Sequence, residues 1–153
     1  RERGLRGRQL EMLGYAAFLH DIGKLGSEEG DLNGFLEDQG LDFEDEEEVH
    51  AAKGADILEQ VDHLKGISDV VRKHHTPYNL TKNGNGKKIP LGARIINVAS
   101  YYDDVAHMQE NGQNTPRQAI DKLKAEQGVR FDPRVVRAFT TLLRRQGKLV
   151  ILF

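Results

Sequence analysis

Residues 18–25 read FLHDIGKL, which sets a histidine and an aspartate directly behind a run of apolar helix formers. From Leu10 onward, Leu13, Ala17, His20 and Asp21 recur at helical spacing, and Gly23 offers a stop. That spacing predicts one helical face carrying both polar side chains inward. Burying them costs free energy unless something pairs with them, so the stretch directs attention to possible partners elsewhere in the chain.

Working outward, the pattern stays helical. After the glycine-rich and acidic connection GSEEGDLNGFLEDQG, the run DFEDEEE precedes a predicted helix whose face carries His50, Gly54, Ile57 and Val61. Acidic residues in its first turn suit the positive end of the helix dipole. Ile67, Val70, Val71, His74 and His75 then follow the i, i+3, i+4, i+7, i+8 pattern, so two adjacent histidines end an apolar stripe. The segment TPYNLTKNGNGKKIP reads as a loop, and LGARIINVASYYDDVAHM resumes a buried helix through Ile95, Val98, Ala99 and Tyr102. Two further helices mark their own starts, Thr115 before Pro116 and Asp132 before Pro133. No segment alternates over several residues, and the expected fold class is all-α. The terminal KLVILF is expected to be a short strand or a buried tail.

Composition bounds the chemistry. A chain of 153 residues with 38% hydrophobic content suits one domain with its own core. The formal charge of −2 supplies no broad basic field, and the short clusters RERGLRGR at the start and Arg144–Arg145 do not make a phosphate-tracking face. Nucleic acid is therefore not an expected partner. With no cysteine, any metal must be held by histidine and carboxylate. No apolar run approaches the ~20 residues needed to span a bilayer, so no membrane insertion is expected, and the expected location is the cytoplasm. The chain starts on Arg1 and ends on LVILF, and is expected to be a fragment of a longer multidomain protein.

A lone histidine on an apolar face is ordinarily a satisfied core residue. Here His20, His50, His74 and His75, four of the six histidines, fall on inward positions of three predicted helices beside Asp21. A divalent transition metal is the economical partner, because imidazole and carboxylate donors suit iron, manganese, cobalt, nickel or zinc. One aspartate can bridge two ions, and ions about 3.5–4 Å apart make water a competent nucleophile toward phosphorus. Lys24, one turn after the dyad, could neutralise charge growing on a phosphate oxygen.

Five blocks now carry a resemblance. HDIGK at His20–Lys24 resembles the signature of the HD superfamily of metal-dependent phosphohydrolases. HAAKGADIL from His50, RKHHTPY around His74 and His75, IPLGARIINVASYYDD from Ile89 and FDPRVVRAF from Phe131 are similar, in that order, to the blocks of its HD-GYP branch. Together they cover the chain from about Gly4 to Phe139. The resemblance implies a compact helical bundle with the metal site between central helices, and hydrolysis of the bacterial messenger cyclic di-GMP or a related nucleotide. It also implies iron or manganese as the cofactor, as one or two ions. By the same resemblance Asp21 would bridge the metals, and His20 would bind the first. His50, His74 and His75 would complete the second. Lys24 would contact a substrate phosphate, making Asp21 and Lys24 the catalytic pair, while Arg94 would pair with a loop carboxylate in a structural role.

The chain also departs from the branch. No Gly-Tyr-Pro follows the double histidine, and Ser100 stands where the branch carries an aspartate ligand, with Asp103 near the same helical face. The branch's first histidine ligand would fall upstream of Arg1, and QNTPRQAI replaces its arginine-proline-tyrosine-lysine block. These departures define the alternative expectation, a degenerate sensor or a module binding signalling proteins, with the acidic stretch Asp42–Glu48 as one candidate partner surface.

Overall fold

The computed structural model describes residues 5–25, 46–79, 88–107 and 115–147. The fold is all-α, as expected. The described residues form α1 (Arg8–Leu19), a 3-10 turn (Ile22–Lys24), α2 (Glu46–Glu59), α3 (Lys65–Arg72), α4 (Leu91–His107), α5 (Pro116–Ala125) and α6 (Pro133–Arg145). They fall into two compact units, Arg1–His75 and Thr76–Phe153. The glycine-rich acidic connection, most of the 76–90 loop and the KLVILF tail lie outside the described residues.

In the first unit α2 packs against both α3 and the 3-10 turn, and α3 also meets α1. Val49, Ala51, Ala55 and Leu58 of α2 and Ile67 and Val71 of α3 are buried, each larger side chain contributing about 1.5–3 kcal/mol of transfer free energy. The buried ridge of α2 thus ends on Leu58, whereas the expected Ile57 is half-buried and Val61 lies beyond the helix. Arg72 ties α3 back to α2 through Asp56 Oδ1 at 2.6 Å and Glu59 Oε1 at 3.1 Å.

The first helix differs from its sequence reading in two ways. It stops at Leu19, so His20 is its cap and Asp21 opens the 3-10 turn. Its buried residue is Ala16, while Ala17 is exposed, because α1 packs through Met12 and Ala16 and leaves Leu10, Tyr15 and Phe18 to solvent. Met12 Cε approaches Gly66 at the start of α3 closely enough that an added Cβ there would sit 3.4 Å from it.

In the second unit α5 and α6 pack on α4 and on each other. Val98, Ile120, Leu123, Phe131, Val135, Val136 and Leu143 form the core, flanked by Ile95, Tyr101, Tyr102 and Phe139. Both expected helix starts are present. Thr115 Oγ1 accepts from the Gln118 amide while the Gln118 side chain accepts from the Thr115 amide, a reciprocal capping box. Asp132 Oδ1 accepts from the Arg134 amide at 2.8 Å. The other oxygen of Asp132 meets Arg94 Nη1 at 2.5 Å, with both side chains buried, and Arg94 Nε donates to the Ile89 carbonyl at 3.0 Å. Arg94 therefore pairs with a carboxylate at a helix start, as anticipated. Gly128, at φ +87°, makes the turn before Phe131 in a backbone region that side chains rarely adopt.

Candidate metal centre

Glycine brings the dyad to its neighbours. A Cβ on Gly23 would lie 2.0 Å from the His50 carbonyl oxygen and 2.7 Å from the Gly54 nitrogen, so the 3-10 turn can lie flat on α2 only with glycine there. Gly54 completes the seat: its own Cβ would stand 3.3 Å from both the Gly23 nitrogen and Val71 Cγ1. A glycine inside a helix costs about 1 kcal/mol relative to alanine. The sequence reading placed Gly54 on the helix face without drawing that consequence, and an unexplained mid-helix glycine was the available signal.

The close approach sets Asp21 over His50. Asp21 Oδ1 lies 3.2 Å from His50 Nε2 and 4.0 Å from His74 Nε2, and His50 Nε2 lies 3.4 Å from His74 Nε2 and 3.1 Å from His75 Nε2. One donor atom from each of Asp21, His50, His74 and His75 falls within 4.8 Å of all the others. His74 and His75 sit in the turn after α3, which ends at Arg72, and not on the helix itself. The tighter turn lets both adjacent rings face His50, with their centroids 4.0 Å apart.

His20 stands beside this group. Its Nε2 lies 3.5 Å from Asp21 Oδ2, the oxygen turned away from the other histidines, and its ring meets His74 edge-on at 5.2 Å. Lys24, which is more than half exposed, donates to the same Oδ2 at 2.8 Å. The two oxygens of Asp21 thus serve different neighbours, Oδ1 His50 and His74, and Oδ2 His20 and Lys24.

The ring nitrogens facing away lie against oxygen acceptors. His20 Nδ1 lies 2.8 Å from the Ala17 carbonyl, His74 Nδ1 2.6 Å from the Val71 carbonyl, and His75 Nδ1 3.3 Å from Glu47 Oε2. A nitrogen that donates there leaves Nε2 of a neutral ring as a bare lone pair. Asp21 Oδ1 and the Nε2 atoms of His74 and His75 are then three acceptors around His50 Nε2, which carries at most one proton. Asp21 Oδ1 is accordingly buried with no aligned donor among the described residues.

Charge follows the same logic. Burial alone would raise the Asp21 pKa, but the Lys24 hydrogen bond and the nearby His20, Lys24 and His50 bring it below the usual carboxylate value. Burial, reinforced by His75, lowers His74 to about 3, so its ring is neutral. A buried carboxylate oxygen with no aligned donor among the described residues, beside the neutral His74 ring and two further imidazoles, fits a cation, and three nitrogens with one carboxylate oxygen is a donor set for a divalent transition metal. These residues could hold such an ion.

Residues 1–135 match the family model of the HD domain. The chain belongs to the HD domain family. HD domains are metal-dependent phosphohydrolases, so the family agrees with the donor set that the histidines and Asp21 present. No curated protein matches this HD domain. Among its described residues no helix is long and apolar enough to cross a membrane.

Ser100 is on α4 in the second unit, and its hydroxyl donates to the Ile96 carbonyl at 2.9 Å. Asp103 is exposed. Of the acidic stretch, Asp42 to Asp45 lie outside the described residues, and Glu48 is exposed in the first turn of α2. Glu47, in the same turn, was not singled out by sequence reading, although it lies three residues before His50 and so shares its helical face.

Proposed function

We propose that this HD domain is a metal-dependent phosphodiesterase of HD-GYP type that hydrolyses cyclic di-GMP or a related nucleotide in bacterial cytoplasmic signalling. The reading rests on the convergence of a carboxylate oxygen of Asp21 with ring nitrogens of His50, His74 and His75, and on the buried Asp21 Oδ1 having no hydrogen-bond partner among the described residues. The order of the five sequence blocks supports the choice of branch. In this reading Asp21, His50, His74 and His75 would hold one iron or manganese ion, and His20 with Asp21 would contribute to a second position. A bound ion supplies Lewis-acid polarisation of a phosphoryl oxygen and a water made nucleophilic at neutral pH. Asp21 positions both sides of the centre through its two oxygens. Lys24, paired with Oδ2 at 2.8 Å, would offset charge on a substrate phosphate oxygen.

Purified protein, analysed for metal after loading with iron(II) or manganese(II), is expected to retain at least one ion per chain. It is also expected to cleave cyclic di-GMP to its linear dinucleotide, with both properties lost in Asp21→Ala. Metal retention without turnover of the cyclic or linear dinucleotide would overturn the substrate assignment. Failure to retain metal would overturn the reading as a whole.

Ser100 favours a second reading. Where the branch has a carboxylate, this chain has a hydroxyl that donates to its own helix at Ile96. A domain with a single ion, used as a sensor or to bind a signalling protein, would keep the Asp21 and histidine set without hydrolysis. One ion per chain, no turnover and unchanged cellular output in Asp21→Ala would identify it.

A further inference from the structure

The histidines of the cluster are not held in the same way. His20 and His74 each turn Nδ1 to the carbonyl three residues back, Ala17 at 2.8 Å and Val71 at 2.6 Å, so the local backbone sets their orientation. His75 instead has Nδ1 3.3 Å from Glu47 Oε2, a side chain on a different helix. Glu47 occupies the first turn of α2, one helical turn before His50. The same face of α2 therefore carries one cluster histidine and the carboxylate that meets another.

We propose that Glu47 is a positioning residue for the metal centre: its carboxylate holds His75 in the Nδ1–H form, with the Nε2 lone pair turned toward His50 and Asp21. The inference rests on the metal-centre reading above. Unlike His74 in the same turn, whose Nδ1 meets the Val71 carbonyl, His75 presents Nδ1 to the Glu47 carboxylate while its Nε2 lies 3.1 Å from His50 Nε2. A carboxylate on the outer nitrogen fixes the tautomer and also makes the inner nitrogen a stronger donor to a cation. Glu47 is 46% exposed and His75 13% exposed, so the contact reaches the cluster from its rim. Position alone thus makes Glu47 removable with little loss of packing.

Two measurements test this on the whole chain. Long-range 1H–15N imidazole spectra of the metal-free protein are expected to show His75 as the Nδ1–H tautomer, and Glu47→Ala is expected to release it into a tautomer mixture. Titration with manganese(II) followed by calorimetry is expected to show about 10–100-fold weaker binding in Glu47→Ala. Glu47→Gln, which keeps an acceptor oxygen and loses the charge, is expected to fall between that variant and the parent. An Nδ1–H ring in the parent that is unchanged in Glu47→Ala, or manganese affinity equal to the parent's in that variant, would overturn the proposal. If Glu47→Ala fails to fold, the Glu47→Gln affinity decides, and a value equal to the parent's counts against the role assigned to charge. A parent that binds no manganese would remove the metal-centre reading and this inference together, whereas a binding parent with an unaffected Glu47→Ala removes the inference alone.

Discussion

The two units each hold a carboxylate with a buried oxygen, and they treat it in opposite ways. In the second unit Asp132 is closed on itself: one oxygen caps α6 through the Arg134 amide and the other meets Arg94, whose Nε is taken by the Ile89 carbonyl. In the first unit Asp21 turns Oδ2 to Lys24 and His20, but its buried Oδ1 faces imidazoles with no aligned donor among the described residues. Asp132 is a joint between α4 and the start of α6, finished by the chain alone. Asp21 keeps a buried oxygen among imidazole nitrogens, a place that a cation fits. Burial of charge is thus no sign of function by itself; the balance of donors and acceptors around it distinguishes scaffold from site.

The sharpest way to break the comparison is to open the closed pair. Asp132→Ala leaves the Arg94 guanidinium buried without its counter-ion and removes the α6 cap. Losing one partner of a buried ion pair costs about 3–5 kcal/mol, and urea denaturation is expected to show a loss of that size. A loss below about 1 kcal/mol, the range of exposed pairs, would mean that Arg94 and Asp132 are not closed on each other.

Supplying a cation tests the other half. Manganese(II) at a hundred times its dissociation constant is expected to stabilise the protein by about 2.7 kcal/mol, seen as a rise in the unfolding midpoint that a chelator reverses. His50→Ala, which removes the nitrogen at the centre of the cluster, is expected to abolish the rise. An equal rise in His50→Ala would place the ion elsewhere.

A smaller effect is expected from the seat beneath the site. Gly23→Ala drives a Cβ into the His50 carbonyl, and overpacking of this kind costs about 1–3 kcal/mol. The turn must lift from α2, so manganese affinity is expected to fall along with thermal stability. Stability lost with affinity unchanged would show that the approach of Gly23 to Gly54 supports the fold without placing Asp21.

Much of this was legible along the chain because the signals are local. Pro116 and Pro133 after Thr115 and Asp132 mark helix starts whose hydrogen bonds span two or three residues, and those caps form where the spacing put them. The stripe Ile67, Val70, Val71, His74, His75 correctly turned two histidines toward a core, although the helix stops at Arg72 and leaves both rings in a turn. The first helix was read less well. Periodicity placed Ala17 inward and Ala16 buries instead, since a shift of one residue on a short, weakly amphipathic helix hardly changes its pattern but is decided by the surface it meets on α3.

The amino-acid sequence by itself determined the all-α class, the helix caps and the set of Asp21 and histidines that the HD family implies, because these depend on residue type, short spacing and the order of motifs. Only the tertiary structure decided which oxygen of Asp21 faces which neighbour, that Gly23 must lie against His50 and Gly54, and that Glu47 meets His75. Those are contacts between residues up to 53 positions apart, His74 from Asp21. Their geometry depends on how α2, α3 and the 3-10 turn pack, and packing follows from the fit of surfaces brought together by folding, which no local pattern encodes.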